Sequence, residues 1–248
     1  MNIDIDKYNR ELLKKYLDES KYEEGIKRYE AGEPVQYILG NVNFYGLEID
    51  IDKRVLIPRF ETEELVEIIT KIIRDNNMHN LDILDIGTGS GCIALALKNN
   101  IKDSNVTGVD ISNDALEVAN HNKTKLGLDV TFKLSNIFSN VTSKYDIIIS
   151  NPPYIPFDGY VEDIVKKNEP EIALFAKDNG LFYYDLILKE CHKYLKERYL
   201  IAFEIGDNQG LAIKELIYKY LGNNTQVEIK KAMNGLERFI IIRGGVWK

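Results

Sequence analysis

Past residue 80 the chain alternates between short runs rich in β-branched and apolar residues and longer stretches with apolar residues at helical spacing. The pattern predicts strands at 82–86, 105–109, 130–134, 145–150, 199–205, 225–231 and 237–243. Between them it predicts helices over about 90–99, 112–126, 179–196 and 208–221. Strands as apolar as Ile83-Leu84-Asp85-Ile86 and Ile147-Ile148-Ile149 must be buried on both faces. An open, mostly parallel sheet covered by helices on both sides provides that. The last two strands are joined by Met233-Asn234-Gly235-Leu236, a hairpin-like connection that makes the final strand antiparallel.

Upstream the pattern changes. Residues 1–34 read as a short helical domain, with Leu12, Leu13, Tyr16 and Leu17 forming one apolar stripe and Gly32 and Pro34 closing the region. Residues 35–57 read as a strand-like β-hairpin connector built on Phe44–Ile51 and Val55-Leu56-Ile57. The main domain then occupies 58–248. Its first helix starts near Thr62, where Glu61, Glu63 and Glu64 sit at the positive end of the helix dipole. A chain of 248 residues is long enough for one large core with a small appendage.

The first chemistry-bearing motif follows the 82–86 strand. Gly87-Thr88-Gly89-Ser90-Gly91 forms a glycine turn immediately before a helix, where backbone can approach a ligand closely. A dinucleotide fingerprint would need its third glycine at position 92, which is Cys92. No Gly-Lys-Ser/Thr follows, so a Walker loop is excluded. The tighter spacing, with Asp85 just ahead, resembles motif I of the class I methyltransferases. That resemblance implies a seven-stranded Rossmann-like α/β fold and a turn that wraps S-adenosylmethionine. Asp110, ending the next strand, is placed to accept both ribose hydroxyls. Ser112 and Asn113 are better placed to cap the following helix, which leaves Asp110 for ligand. In this fold the loop holding Asn136 and Ile137 usually flanks the adenine.

The second motif ends the 145–150 strand. In Asn151-Pro152-Pro153-Tyr154 two prolines remove two backbone donors and hold the chain extended. The Asn151 side-chain oxygen and the Pro152 carbonyl remain as acceptors, and Tyr154 adds an aromatic face. Two acceptors and a stacking ring suit a planar NH₂ group whose lone pair is aimed at a sulfonium methyl. Transfer is then an in-line displacement that depends on positioning, with no strong base in view. Adenine, guanine and a glutamine amide all satisfy this chemistry.

Charge narrows the choice. With 32 Lys+Arg against 39 Asp+Glu the net charge is −7, a poor match to a phosphate backbone. Lys14-Lys15, Lys166-Lys167 and Lys230-Lys231 are isolated pairs. Cys92 and Cys191 are far apart, and His79, His121 and His192 do not join them at metal-ligand spacing, so no metal site is expected. Cys92 lies in an apolar run and reads as a packing residue. The start Met1–Asp6 lacks the character of a signal peptide, and no apolar run approaches the roughly 20 residues of a membrane span. A soluble, cytoplasmic, monomeric protein is expected.

Several further segments resemble the HemK/PrmC family of peptide chain release factor glutamine methyltransferases. They are Arg28–Gly40, Leu56–Val66, Asp85–Gly91, Ser150–Ile155, Glu169–Leu174 and Glu204-Ile205-Gly206. The match runs in order from about residue 28 to the C-terminus. It implies transfer from S-adenosylmethionine, leaving S-adenosylhomocysteine, to the N5 amide nitrogen of the glutamine in the release factors' Gly-Gly-Gln loop. It assigns Gly87–Gly91, Asp110 and Asn151 to the cofactor, and Asn151–Tyr154 to the glutamine. A glutamine methyltransferase acting on a ribosomal protein, and a DNA or RNA amino-methyltransferase, are the alternatives. The sequence departs from the family in a shorter N-terminal helical region and in Phe175–Gly180, where the family is richer in glycine.

Overall fold

A computed structural model describes residues 4–246. Met1, Asn2 and Ile3, part of the stretch read above for a signal peptide, and Trp247 and Lys248 lie outside the described residues. The chain opens with helices α1 (Ile5–Tyr16), α2 (Glu19–Glu30) and α3 (Val35–Leu39), then the antiparallel hairpin β1 (Asn41–Phe44) and β2 (Leu47–Asp50). Helix α4 spans Phe60–Asp75. There follow β3 (Asp82–Ile86), α5 (Cys92–Asn100), β4 (Asn105–Asp110), α6 (Asn113–Leu126), β5 (Val130–Leu134) and β6 (Tyr145–Ser150). The short β7 (Ile155–Pro156), α7 (Asp163–Asn168), α8 (Glu171–Leu174) and β8 (Phe175–Ala176) come next. The chain ends with α9 (Phe182–Cys191), β9 (Leu195–Glu204), α10 (Gly210–Leu221), β10 (Gln226–Lys231) and β11 (Glu237–Gly244).

Seven strands form the central sheet in the order β10-β11-β9-β6-β3-β4-β5. Strands β9, β6, β3, β4 and β5 run parallel, and β11 is antiparallel to both neighbours. One face packs on α4, α5 and the hairpin, through residues such as Ile49, Leu65, Ile69 and Leu95. The other packs on α9 and α10, through Tyr184, Leu188, Ile213 and Phe203. Chain order reverses between β3 and β6: after β3 the strands progress outward through β4 to β5, and β6 then returns to the other side of β3. In such sheets the crevice at the carboxyl ends of the two strands is where ligands enter.

Three local readings of the sequence are corrected. Val35–Leu39 is a single helical turn, entered from Pro34 and ended by Gly40 in the left-handed region (φ 80°). Its apolar run buries Val35 and Ile38 against Leu13, and a run that short carries no period that separates helix from strand. The expected 179–196 helix occupies only Phe182–Cys191, because Tyr145 N–H bonds the Tyr194 carbonyl and strand pairing resumes at Leu195. Val55-Leu56-Ile57, read as part of the hairpin, forms no strand: the hairpin closes at Tyr45-Gly46 between β1 and β2, and the chain beyond Asp50 is irregular. Phe44 and Ile49 of the hairpin, with Ile51 and Val55 beyond it, join the main core. Asn122 fixes it further: its Oδ1 accepts the Asp50 N–H (2.8 Å), and its Nδ2 donates to the carbonyls of Asp50 (2.9 Å) and Ser90 (3.0 Å). Among the described residues no helix is long and apolar enough to cross a membrane.

Candidate active site

The crevice at the switch point is a cavity of about 630 Å³, in the range that takes a small-molecule ligand. Its floor is made by carboxyl ends of strands: Gly87 and Gly89 after β3, Asp110 of β4, Asn136 and Ile137 after β5, and Asn151 after β6. Ile86 and Ser150 are register partners across β3 and β6, and Ser150 Oγ donates to the Ile86 carbonyl (2.7 Å). That bond ties together the two strand ends that carry the motifs.

The glycines of the first motif have different roles. Gly87 (φ 73°) and Gly89 (φ 55°) have nothing within 4 Å of where a Cβ would stand, so a ligand can lie directly on their backbone. Gly91 (φ 82°) caps α5, and a Cβ there would come within 2.8 Å of the Phe132 ring; it is required for packing. Thr88 and Ser90 are buried and do not line the cavity. Thr88 donates to Asp85 Oδ2 (2.6 Å), and Asp85 is fully buried beneath the turn with its Oδ1 lacking a hydrogen-bond partner. Burial pushes the Asp85 carboxyl up to about 7. Asp85 is thus a fastening for the turn and lies outside the ligand cavity.

Asp110 is less free than its position in the sequence implies. Its Oδ2 accepts the Gly89 N–H (2.9 Å) and its Oδ1 the Ser112 N–H (2.9 Å), while the Ser112 side chain caps α6. Each carboxylate oxygen keeps a second lone pair, and Asp110 still lines the cavity, so a pair of ligand hydroxyls can be accepted. Burial holds its carboxyl above the usual range.

Beyond β6, Asn151, Pro152 and Pro153 line the cavity. Asn151 Nδ2 donates to Thr62 Oγ1 of α4 (3.2 Å), and no donor among the described residues engages the Pro152 carbonyl. Tyr154 is half-buried and does not line the cavity; its hydroxyl donates to Glu204 Oε1 (3.4 Å). The Arg238 guanidinium stands 5.9 Å from the Tyr154 ring centroid. The Tyr154 carbonyl accepts from Gln209 Nε2 (3.0 Å), which also bonds the Asn179 carbonyl (3.1 Å). Asp178, Asn179 and Gly180 beside it all have positive φ (55°, 54° and 84°). Asp and Asn tolerate that region best among non-glycine residues, so this sequence keeps the turn with less glycine.

Glu204, at the end of β9, was not expected at the site. It is 1% exposed, and its Oε2 accepts from Thr62 Oγ1 (2.7 Å). Burial raises its carboxyl to about 7. An acid closing the apolar run Leu200-Ile201-Ala202-Phe203 was the available signal. Glu169, buried next to the lining residue Pro170, accepts from the Ile57 N–H (3.0 Å) and Arg59 Nη2 (2.5 Å) and so fixes the segment leading into α4. Cys92 and Cys191 are both buried, and burial raises each thiol to about 12. Among the described residues no group of three or more His, Cys, Asp or Glu side chains could hold a metal ion.

Residues 48–168 match the family model described as the methyltransferase small domain. The release factor glutamine methyltransferase of Streptococcus pneumoniae (strain ATCC BAA-255 / R6) is 43% identical over 231 residues, covering 92% of this chain and 81% of that protein. The protein of the same name from Bacillus anthracis is 37% identical over 228 residues, covering 90% and 80%. Among solved structures, a methyltransferase from Pyrococcus furiosus superposes with a TM-score of 0.60 at 22% identity, over 81% of this chain and 90% of that one. The ribosomal protein L11 methylase from Lactobacillus delbrueckii subsp. bulgaricus does so with a TM-score of 0.57 at 18% identity, over 80% and 86%. At those identities the two structures bear on the fold alone.

Proposed function

The chain belongs to the release factor glutamine methyltransferases, and from that premise we infer that Asn151 and Pro152 hold the side-chain amide of a substrate glutamine. It is an S-adenosylmethionine-dependent enzyme that methylates a glutamine amide nitrogen, N5, of release factors. The glutamine we assign is that of the Gly-Gly-Gln loop.

One observation carries the residue-level reading. The Asn151 NH₂ is committed to Thr62, so its Oδ1 is the free end of the amide, and it adjoins an unengaged Pro152 carbonyl in the lining of the crevice. S-adenosylmethionine supplies an electrophilic methyl group. Gly87 and Gly89 offer bare backbone for it and Asp110 a carboxylate for its ribose hydroxyls. Asn151 Oδ1 and the Pro152 carbonyl each take one N–H of the substrate amide. That fixes its plane and turns the nitrogen toward the glycine turn. As the nitrogen gains positive charge its N–H groups become stronger donors, so both acceptors bind the transition state more tightly than the ground state. The net charge of −7 supports a protein substrate over a polyphosphate one.

The test is incubation with a release factor and labelled S-adenosylmethionine, followed by mass spectrometry of the Gly-Gly-Gln peptide. Label on the glutamine is expected. Label in a ribosomal protein or in nucleic acid, with none on that peptide, overturns the substrate. Asn151→Ala is expected to abolish transfer while changing cofactor affinity much less, and full activity in that variant removes Asn151 from the mechanism.

A further inference from the structure

We propose that Thr62 and Glu204 are positioning residues that determine which end of the Asn151 amide faces the substrate. The proposal rests on the reading of Asn151 as an acceptor for the substrate amide. An asparagine side chain presents an oxygen at one end and an NH₂ at the other, and the two are nearly the same shape. Only the oxygen can receive a substrate N–H. Something must therefore decide its orientation, and among the described residues Thr62 alone hydrogen-bonds the Asn151 amide.

The decision is made behind the loop. Thr62 Oγ1 lies between Asn151 Nδ2 (3.2 Å) and Glu204 Oε2 (2.7 Å), and all three residues sit on different elements. A hydroxyl has one proton. An ionised Glu204 can only accept, so the Thr62 proton goes to the carboxylate. The Thr62 lone pair is then what Asn151 meets, and only Nδ2 can satisfy it. Glu204 thereby fixes the Thr62 hydroxyl, Thr62 fixes the Asn151 amide, and Oδ1 is left for the substrate. Tyr154 is tied to the same carboxylate through its hydroxyl (3.4 Å), so one buried acid anchors both ends of the tetrapeptide.

With Oε1 held by the Tyr154 hydroxyl, a proton on Glu204 goes to Oε2, the oxygen facing Thr62, and reverses the chain of donors. The protonated acid donates to Thr62, Thr62 donates to Asn151 Oδ1, and the amide turns its NH₂ toward the cavity, where it opposes the substrate N–H. No bond to carbon changes; one proton is taken from solvent and returned to it. The groups facing Glu204 are Arg238 from β11, Glu61 from α4, the hydroxyls of Tyr154 and Tyr184, and the neutral Cys92 thiol of α5. Burial, with Glu61, opposes the ionised acid, while the Thr62 hydrogen bond and Arg238 favour it, which leaves the carboxyl at about 7. Turnover is expected to fall as pH drops through that value. Asp85 titrates in the same range but lies under the glycine turn, so its protonation acts on cofactor affinity.

The experiment measures kcat for the full chain on a release factor at saturating S-adenosylmethionine, from about pH 5.5 to about pH 9, alongside the cofactor Kd. The wild type should lose rate on the acid side. Glu204→Gln, whose amide oxygen can still accept from Thr62, should lose that acid limb and stay within about fivefold of the wild-type alkaline rate. Thr62→Val should lower kcat by about tenfold to a hundredfold at every pH with the cofactor Kd within about twofold, and Thr62→Ser should restore it to within about threefold. A Thr62→Val enzyme with wild-type kcat, or a wild-type acid limb persisting in Glu204→Gln, overturns the proposal. Should Glu204→Gln not fold, the Thr62 pair decides alone. Full activity in Asn151→Ala defeats the acceptor reading itself, whereas an inactive Asn151→Ala beside an unimpaired Thr62→Val defeats only the orienting role.

Discussion

Gly180→Ala makes a stringent test of how the tyrosine of the loop is held. Gly180 has a φ of 84°, and a Cβ there would stand 2.9 Å from the Tyr154 carbonyl carbon and overlap both its oxygen and Gln209 Nε2. Ordinary contact begins near 3.4 Å, so neither partner can stay in place. Left-handed backbone costs a non-glycine residue about 1–2 kcal/mol. Breaking the Gln209–Tyr154 bond adds about 1 kcal/mol. The variant should therefore be about 2–3 kcal/mol less stable, read from the urea midpoint. The larger effect is on chemistry, because the backbone that must move is two residues from the Pro152 carbonyl that takes a substrate N–H. A displacement on the order of 1 Å at a reacting site can cost about a hundredfold in rate. We expect kcat on a release factor to fall by about that factor, with the S-adenosylmethionine Kd, measured by titration calorimetry, changing far less. A Gly180→Ala enzyme with wild-type kcat and stability would refute the idea that the 178–180 turn braces Tyr154.

Three other outcomes follow from the geometry. Gly108→Ala places a Cβ 2.6 Å from the Phe132 ring and 2.7 Å from Thr88 Oγ1, so it should loosen the Thr88–Asp85 fastening and weaken S-adenosylmethionine binding by about tenfold, measured by calorimetry. Asn122→Ala removes three hydrogen bonds from a fully buried side chain and should cost about 3 kcal/mol or more in urea unfolding; a loss below about 1 kcal/mol would contradict the clamp. The third concerns pH and stability. Glu204 titrates at about 7 in the folded protein against 4.5 for an ordinary glutamic acid, so the native state retains a proton that the unfolded chain releases. Its contribution is therefore full below about pH 4.5 and is lost as pH rises through about 7, a difference of about 3 kcal/mol. Urea unfolding at about pH 5 and about pH 8 should show wild type losing more stability than Glu204→Gln over that interval, and equal losses would contradict the assignment.

The sheet was legible because its strands are long, apolar and bounded by turns, and periodicity reports such segments well. The glycine turn and the Asn-Pro-Pro-Tyr loop were legible because each sits where a strand must end. Local pattern failed where the local signal was short or conflicting. Val-Gln-Tyr-Ile-Leu at 35–39 looks like a strand, and only packing against Leu13 makes it a turn of helix. The supporting residues could not be read at all from spacing. Thr62 and Glu204 are 142 positions apart, Asn151 and Thr62 are 89, and Ile57 and Glu169 are 112. Each such bond forms because the fold brings two elements together, and periodicity contains no term for it. The same cause explains Asp110, whose carboxylate is already engaged by two backbone N–H groups that the sequence could not place.

The Asn122 side chain joins the Ser90 carbonyl of the glycine turn to both backbone groups of Asp50, at the end of the hairpin. Thermodynamic linkage runs equally in both directions across such a joint. A ligand that steadies the turn steadies the hairpin by the free energy that couples the two, and anything that grips the hairpin from outside tightens the turn by that same amount. The Asp50 amide hydrogen is the natural reporter. Its exchange with deuterated water should slow when S-adenosylmethionine binds, although no ligand atom need come near it.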